Sequence, residues 1–241
     1  MDHPTENTER MTSGQLIRAA FLRSLPVLAG YVVLGTGFGI LLRNAGYGLP
    51  WALAMSLLIF AGSLQYVGVG LLAGGASLLS AALTSFMVNA RHLFYSISMI
   101  RQYEGAGVRK PYMIFALTDE TYSLLCGNNV PPGADPHRFA FLVSLFNQSY
   151  WVTGSVLGSL LGAVLPFSTA GIEFSMTALF IASFTEQWLK TKEHIPALTG
   201  LAATFLCLIL FGPERFLIPS MLLITLVLSL LRRRLEKGAR V

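Results

Sequence analysis

Apolar stretches long enough to form membrane-crossing helices alternate with short polar segments along most of the chain. The longest stretch covers residues 50–100 and contains one permanently charged residue, Arg91. A bilayer core is about 30 Å thick and takes about 20 apolar residues to cross as a helix, so this stretch predicts two crossings joined at Gly74 and Gly75. Further crossings are predicted at residues 26–42, 138–165, 172–189, 195–211 and 216–231.

Residues 111–127 form a shorter apolar segment with Thr118, Asp119 and Glu120 near its centre, which predicts a re-entrant or broken helix. The count is seven crossings without this segment and eight with it. We favour seven, because an odd count relates the two halves by inversion, as in many transporters. The predicted fold is an all-α integral membrane protein, a polytopic bundle with a broken second helix.

Composition supports this class, because 54% of residues are hydrophobic and 12% are charged, against about 25% charged in typical soluble domains. Much of the net charge of +5 lies at the end of the chain. It therefore indicates membrane orientation, with a cytoplasmic carboxy terminus, and no nucleic-acid partner. Seven crossings put the amino terminus outside and eight put it inside, with nearly the same bias of Lys and Arg.

The domain prediction is a disordered polar tail at 1–14, one transmembrane domain at 15–231 with halves 26–127 and 138–231, and a basic cytoplasmic tail at 232–241. Weak similarity of residues 55–65 to 176–186, and of 35–42 to 154–161, suggests an internal repeat. The two cysteines are far apart and no ligand spacing accompanies them, so no metal or cofactor is expected.

Glycines at every fourth position predict close helix contacts. Gly35 and Gly39 form one such pair, and Gly154, Gly158 and Gly162 form a longer series. Simple helix packing is the preferred interpretation.

Two polar clusters lie inside apolar stretches. Ala61, Gly62, Ser63 and Gln65 belong to the first, which predicts an unwound helix with exposed backbone groups. The second is residues 89–92. Its polar members share one helical face with flanking serines, in the order Ser85, Asn89, His92 and Ser96.

The first cluster offers hydrogen-bond donors for the carboxylate of a free amino acid, since backbone N–H groups at the amino end of a helix favour anions. Asp119 or Glu120 can hold the ammonium or carry a coupling proton, and Asn89 is a further contact. The alternative for Gly62 and Ser63 is tight packing. The alternative for Asn89, Arg91 and His92 is a structural cluster in which Arg91 neutralises Asp119 or Glu120; His92 is also a candidate proton relay.

Three segments together resemble the AzlC family, the large subunit of bacterial branched-chain amino acid exporters. They are FAGSLQYVGVGLLAGGASLLSAALTSFMVNARHLFYSIS, FALTDETYSL and FSMTALFIASFTEQWL. The resemblance implies export of valine, leucine, isoleucine and sometimes other amino acids across the inner membrane. It also implies a separate small partner of the AzlD type, since no such domain is fused here.

The predicted function is an ion-gradient-driven exporter subunit that is not an enzyme. A solute channel is the first alternative, and it would conduct without saturation. An intramembrane enzyme is the second, but the chain lacks an HExxH motif and a Ser-His-Asp order.

Overall fold

The computed structural model describes residues 10–127, 130–164, 193–213 and 215–238, with scattered residues between 171 and 189. The side chains of 91, 94, 217 and 232–238 lie outside this description, as does most of the predicted crossing at 172–189. The described part of the chain is helical, without strands. Its helices are α1 Ser13–Asn44, α2 Leu49–Leu58, α3 Gly62–Ala73, α4 Leu78–Met99, α5 Lys110–Phe115, α6 Asp119–Leu125, α7 Pro136–Val164, α8 Ile195–Phe211 and α9 Leu217–Gly238.

The helices form two compact units. The first contains residues 1–77 and 92–175, and the second contains residues 78–91 and 176–241. In the second unit α8 packs against α9. By length and composition alone, α1 is the one described helix that is long and apolar enough to cross a membrane, and several shorter apolar helices accompany it.

Helix α1 is one continuous helix, whereas the sequence predicted a crossing that starts at Pro26. Thr12 caps its amino end, because the Gln15 N–H donates to Thr12 Oγ1 (3.4 Å) and the Thr12 N–H donates to Gln15 Oε1 (2.9 Å). The helix continues through Pro26 because one face is buried along its whole length. Buried residues follow at helical spacing: Leu16, Ala20, Ser24, Val27, Tyr31 and Leu34.

Helices α1 and α7 pack with their backbones in contact. A Cβ atom added to Gly35 would lie 2.9 Å from Trp151 O, and one added to Gly154 would lie 2.6 Å from Val32 O. The same crowding occurs at Gly39 against Ser155 O and at Gly158 against Thr36 O. The close contact predicted from the glycine spacing is therefore confirmed.

These two helices run in the same direction. Near its start, α1 places Phe21 against Phe146 of α7, with ring centroids 5.5 Å apart. Further along both helices, Gly39 meets Ser155. Position along α1 and position along α7 increase together, so the helices are parallel.

The amino ends of α1 and α7 meet the carboxyl end of α4 at one end of the first unit, which we call the first end. The Met11 N–H, just before α1, donates to Gly133 O, just before α7 (2.9 Å). A buried apolar cluster joins the three helices and includes Leu16, Ala20, Met99, Tyr103, Phe139, Ala140 and Val143. We call the opposite end, where α1 finishes at Asn44, the second end.

Helices α2 and α3 form a hairpin, hairpin 1, that enters and leaves at the second end. Tyr47, just after α1, donates its hydroxyl to Leu72 O near the end of α3 (3.4 Å), and its ring lies 5.2 Å from that of Trp51 in α2. Between these points a Cβ on Gly68 would lie 3.4 Å from Met55 Cε. The sequence predicted a crossing here, but α2 and α3 lie side by side and antiparallel.

The arms of hairpin 1 contain 10 and 12 residues. At 1.5 Å per residue each arm is about 15 to 18 Å long, or half of a bilayer core. The break lies at residues 59–61, where Phe60 has a φ of 40°, a left-handed conformation that bulky residues rarely adopt. The predicted broken helix is confirmed, but α3 already begins at Gly62, so the unwound residues start before those predicted.

Helices α5 and α6 form a second hairpin, hairpin 2, with both its ends at the first end. Gln102, which follows α4, donates to Leu125 O at the end of α6 (3.0 Å), and Arg23 of α1 donates to Leu124 O (2.8 Å). Residues 116–118 separate the two arms. The break predicted in this segment is confirmed. Helix α4 lies between the two hairpins in the chain, and its carboxyl end is at the first end.

Candidate functional site

The tips of the two hairpins meet beside Tyr31 of α1. The Phe60 ring of hairpin 1 lies 6.4 Å from that of Tyr31 and 6.4 Å from that of Phe115 in hairpin 2. The Tyr31 hydroxyl is 2.7 Å from Thr118 Oγ1 and donates to Glu120 Oε2 at 2.6 Å. One buried tyrosine therefore contacts both tips.

At the tip of hairpin 2, Thr118 caps α6. Its Oγ1 accepts from the Thr121 N–H (3.3 Å) and lies 3.0 Å from Thr121 Oγ1. Asn147 of α7 donates its side-chain N–H to the same Thr121 hydroxyl (2.9 Å). Asp119 and Glu120 occupy the first turn, where carboxylates complement the helix dipole. Hydrogen bonds thus hold this tip against both α1 and α7.

At the tip of hairpin 1, Gln65 is fully buried. Its side-chain N–H lies 3.4 Å from Ser56 Oγ in the other arm, and Ser56 Oγ in turn donates to Ser155 Oγ of α7 (2.9 Å). These bonds tie the two arms to each other and to α7.

Gly62 is the first residue of α3 and lies against the Trp151 ring. A Cβ there would be 2.9 Å from Trp151 Cη2, so this position needs glycine for close approach. The Trp151 ring also packs edge-on against Tyr31, with centroids 5.4 Å apart. The amino end of α3, which has no side-chain cap, therefore opens onto an aromatic surface.

Three buried polar atoms around the tips have no hydrogen-bond partner among the residues that the structure describes. They are Gln65 Oε1, Asn147 Oδ1 and Trp151 Nε1, two acceptors and one donor. Buried polar groups are nearly always paired with protein or water, so a group of such atoms indicates a place for a polar solute or water. The set can receive both an ammonium and a carboxylate.

The sequence analysis missed a polar face on α7. One side of this helix carries buried polar side chains at successive steps of three, one, three and four residues: Ser144, Asn147, Gln148, Trp151 and Ser155. The signal was present both in the helical periodicity and in the consecutive polar residues Asn147, Gln148 and Ser149, but this helix was interpreted from its glycine spacing. Tyr31 and Ser56 were missed because each is a single polar group among apolar neighbours.

The structure brings some of the predicted residues together. Ala61, Gly62, Ser63 and Gln65 lie at the tip of hairpin 1, and Asp119 and Glu120 lie at the tip of hairpin 2. Their role in solute binding stays a prediction.

The second predicted cluster is divided between the units. Asn89 and Arg91 belong to the second unit, and the Arg91 side chain lies outside the described part. His92 belongs to the first unit, where its ring lies 4.9 Å from that of Tyr95. Tyr95 in turn stacks on Tyr122 of hairpin 2 (5.4 Å). One aromatic ring thus separates His92 from hairpin 2.

Comparison with known proteins identifies the family. The family model described as AzlC protein matches residues 26–165. The branched-chain amino acid transport protein AzlC of Bacillus subtilis is 43% identical, with 99% of this chain and 95% of the relative covered. A Haemophilus influenzae relative, described as an uncharacterized membrane protein, is 41% identical over 91% of this chain and 90% of its own.

A more distant relative is the inner membrane protein YgaZ of Escherichia coli, 27% identical over 78% of this chain and 80% of its own. No solved structure matches. The match to the family model and the identity over nearly the whole chain confirm the resemblance drawn from the three sequence segments, and this chain belongs to the AzlC family of membrane proteins.

Proposed function

We propose that this protein is the transporter subunit of an ion-gradient-driven exporter of branched-chain or other hydrophobic amino acids. One observation carries the proposal: two half-length hairpins enter from opposite ends and meet at buried, unpaired donors and acceptors. Broken helices that meet at mid-membrane are a common way to build a transporter's substrate site. The name of the Bacillus subtilis relative supports the substrate class.

The groups at the tips suit a zwitterion. Trp151 Nε1 and the first backbone N–H groups of α3 are the donors for a carboxylate, since a helix amino end favours anions. Gln65 Oε1, Asn147 Oδ1 and the Glu120 carboxylate are the acceptors for an ammonium. The rings around Phe60 supply an apolar surface for the side chain of the amino acid.

The orientation follows from the charges at the two ends of the first unit. Basic residues near the first end are Arg10, Arg18, Arg23, Arg101, Arg109, Lys110 and Arg138, whereas the second end has Arg43. Cytoplasmic segments carry the excess of Lys and Arg, so the first end is cytoplasmic. The amino terminus is then inside, in contrast to the arrangement favoured from sequence. Three further crossings, at 172–189, α8 and α9, would return the basic tail to the cytoplasm.

In this orientation each hairpin covers the site from one side, hairpin 1 from outside and hairpin 2 from the cytoplasm. Alternate movement of the two hairpins would expose the site to one side at a time. Family membership further supports an inner-membrane location and a separate small subunit of the AzlD type. Co-purification with the product of a neighbouring short reading frame that encodes about four hydrophobic spans tests the partner.

The decisive experiment measures counterflow of labelled valine or methionine in cells that lack their own exporters. We expect Glu120→Gln to abolish saturable export without lowering the amount of protein in the membrane, because Glu120 is the carboxylate held by Tyr31. Asp119→Asn is the matched neighbour and should have the smaller effect. Undiminished export in both single variants and the double variant would contradict the role of these carboxylates, and flux without saturation would indicate a channel.

A further inference from the structure

The side chain of Gln148 on α7 bonds to both hairpins at once. Its N–H group donates towards Ser56 O (3.4 Å) and Leu57 O (3.3 Å), at the carboxyl end of α2 in hairpin 1. Its Oε1 accepts from the Tyr112 hydroxyl of α5 in hairpin 2 (2.7 Å). Gln148 is buried, so these bonds are shielded from water.

Each half of this bridge has a clear physical basis. The last carbonyls of α2 have no partner within their own helix, and at a break inside a membrane they need a donor from elsewhere. A glutamine amide offers donors and an acceptor on one rigid plane, so it can bond to a carbonyl end and a hydroxyl together. A leucine or a glutamate of similar size cannot do both.

The helix that carries Gln148 is firmly packed in the first unit. Gln148 lies on α7, and α7 is held against α1 by the backbone contacts at Gly154 and Gly158. The residue beside it, Ser149, is exposed and donates to Leu145 O of its own helix (2.7 Å). Of these two adjacent side chains, one contacts the hairpins and the other is a natural control.

We infer that Gln148 is a positioning residue that couples the two hairpins, so that release of one hairpin loosens the other. When Tyr112 moves away, Gln148 Oε1 loses its hydrogen-bond donor. The Gln148 amide is then free to rotate, and its N–H group no longer bonds to the carboxyl end of α2. The inference rests on the proposed transport function, in which one bridge shared by both hairpins favours the state that is closed over the site on both sides. The coupling itself can be measured without any transport.

The test uses Tyr112→Phe, which removes one hydroxyl and keeps the ring contacts with Phe115 and Phe141. Single reporter cysteines replace the small tip residues Ala61 in hairpin 1 and Ala116 in hairpin 2, with Cys126 and Cys207 changed to serine and alanine. The rate of maleimide labelling is measured in purified protein without substrate. We expect Tyr112→Phe to raise labelling about tenfold at both reporters, including the one in hairpin 1, which Tyr112 does not bond.

Ser149→Ala should leave both labelling rates unchanged. Gln148→Glu keeps an acceptor for Tyr112 but loses the donors to α2, so it should raise labelling at Ala61→Cys at least as much. If Tyr112→Phe accelerates labelling at Ala116→Cys alone, or at neither reporter, Gln148 merely fills space and the inference is wrong. A thermal melt of each variant ensures that labelling is compared between folded proteins.

Discussion

Tyr31 shows how one side chain links several elements at the site. Its ring lies against Phe60 and Trp151, and its hydroxyl bonds to Glu120 and lies within hydrogen-bond distance of Thr118. Tyr31 therefore connects its own helix, α1, with both hairpins and with α7. The phenol also orients the carboxylate that we propose for the ammonium of the substrate or for a coupling proton.

We predict that Tyr31→Phe lowers transport by roughly ten- to a hundredfold, because a hydrogen bond to a charged group contributes about 1.5–3 kcal/mol and 1.4 kcal/mol is a factor of ten. The rings around it keep their packing, so the amount of protein in the membrane should not change. Initial rates of export of labelled valine measure the effect.

Tyr150→Phe is the matched control, since the Tyr150 hydroxyl is also buried but pairs with Ser24, away from the tips. Equal losses of export rate in the two variants would show that the effect comes from removing any buried hydroxyl. That result would contradict a specific role of the Tyr31 hydroxyl in transport.

At the scale of elements, the glycine contacts between α1 and α7 leave no room for side chains. We predict that Gly158→Ala strongly reduces the folded amount of protein, because its Cβ would overlap the Thr36 backbone, which cannot rotate away. Overpacking of this kind costs about 1–3 kcal/mol or more. Protein abundance in the membrane and the melting temperature in detergent are the measurements.

Gly30→Ala provides the control within α1, because nothing lies within 4 Å of the added Cβ. It should be neutral or stabilise the helix by up to about 1 kcal/mol. Equal tolerance of both substitutions would contradict a backbone contact between Gly158 and Thr36.

Sequence predicted the helices well where local pattern decides their extent. The bounds of Ile195–Phe211 agree at both ends, and the glycine spacing correctly indicated the contact of α1 with α7. It did not predict that residues 49–73 fold back, because their apolar length is also sufficient for a crossing. Only a long-range contact such as that of Tyr47 with Leu72 determines the direction of the second arm.

The same limit applies to the site. Polar residues close together in sequence, such as Ser63 with Gln65 or Asp119 with Glu120, were recognised because each group interrupts an apolar stretch. Gln148 and Trp151 were not recognised: Gln148 lies beside Asn147 and Ser149, but α7 was interpreted from its glycine spacing. Their importance comes from the hairpins packed against them, which no local pattern encodes.

At the scale of the whole molecule, the two hairpins change how the basic residues are distributed across the membrane. If each hairpin leaves the membrane on the side from which it entered, the loops at 100–110 and 126–135 lie on the same side as the amino terminus. The bias of Lys and Arg then becomes strong, whereas a full crossing by either segment would divide it.

We predict that single cysteines at Val108 and Pro132 are labelled from the cytoplasm only, and that one at Ala76 is labelled from outside only. All three residues are exposed, and Cys126 is replaced by serine to remove the exposed native thiol. The measurement is labelling by an impermeant maleimide in intact cells and in inverted vesicles.

Val108→Cys and Pro132→Cys on opposite sides would mean that hairpin 2 crosses the membrane. Ala76→Cys on the cytoplasmic side would mean that hairpin 1 does. Either result would contradict the topology proposed here.

The direct backbone contact of α1 with α7 has a consequence for movement. Helices that touch through glycines have no side chains to repack, so sliding or rotating one past the other would separate a large dry surface. Helices α1 and α7 should therefore move as one rigid body, while the arms of hairpins 1 and 2 move relative to them. A covalent cross-link between the two long helices is then compatible with full turnover, whereas one between the two tips would stop it.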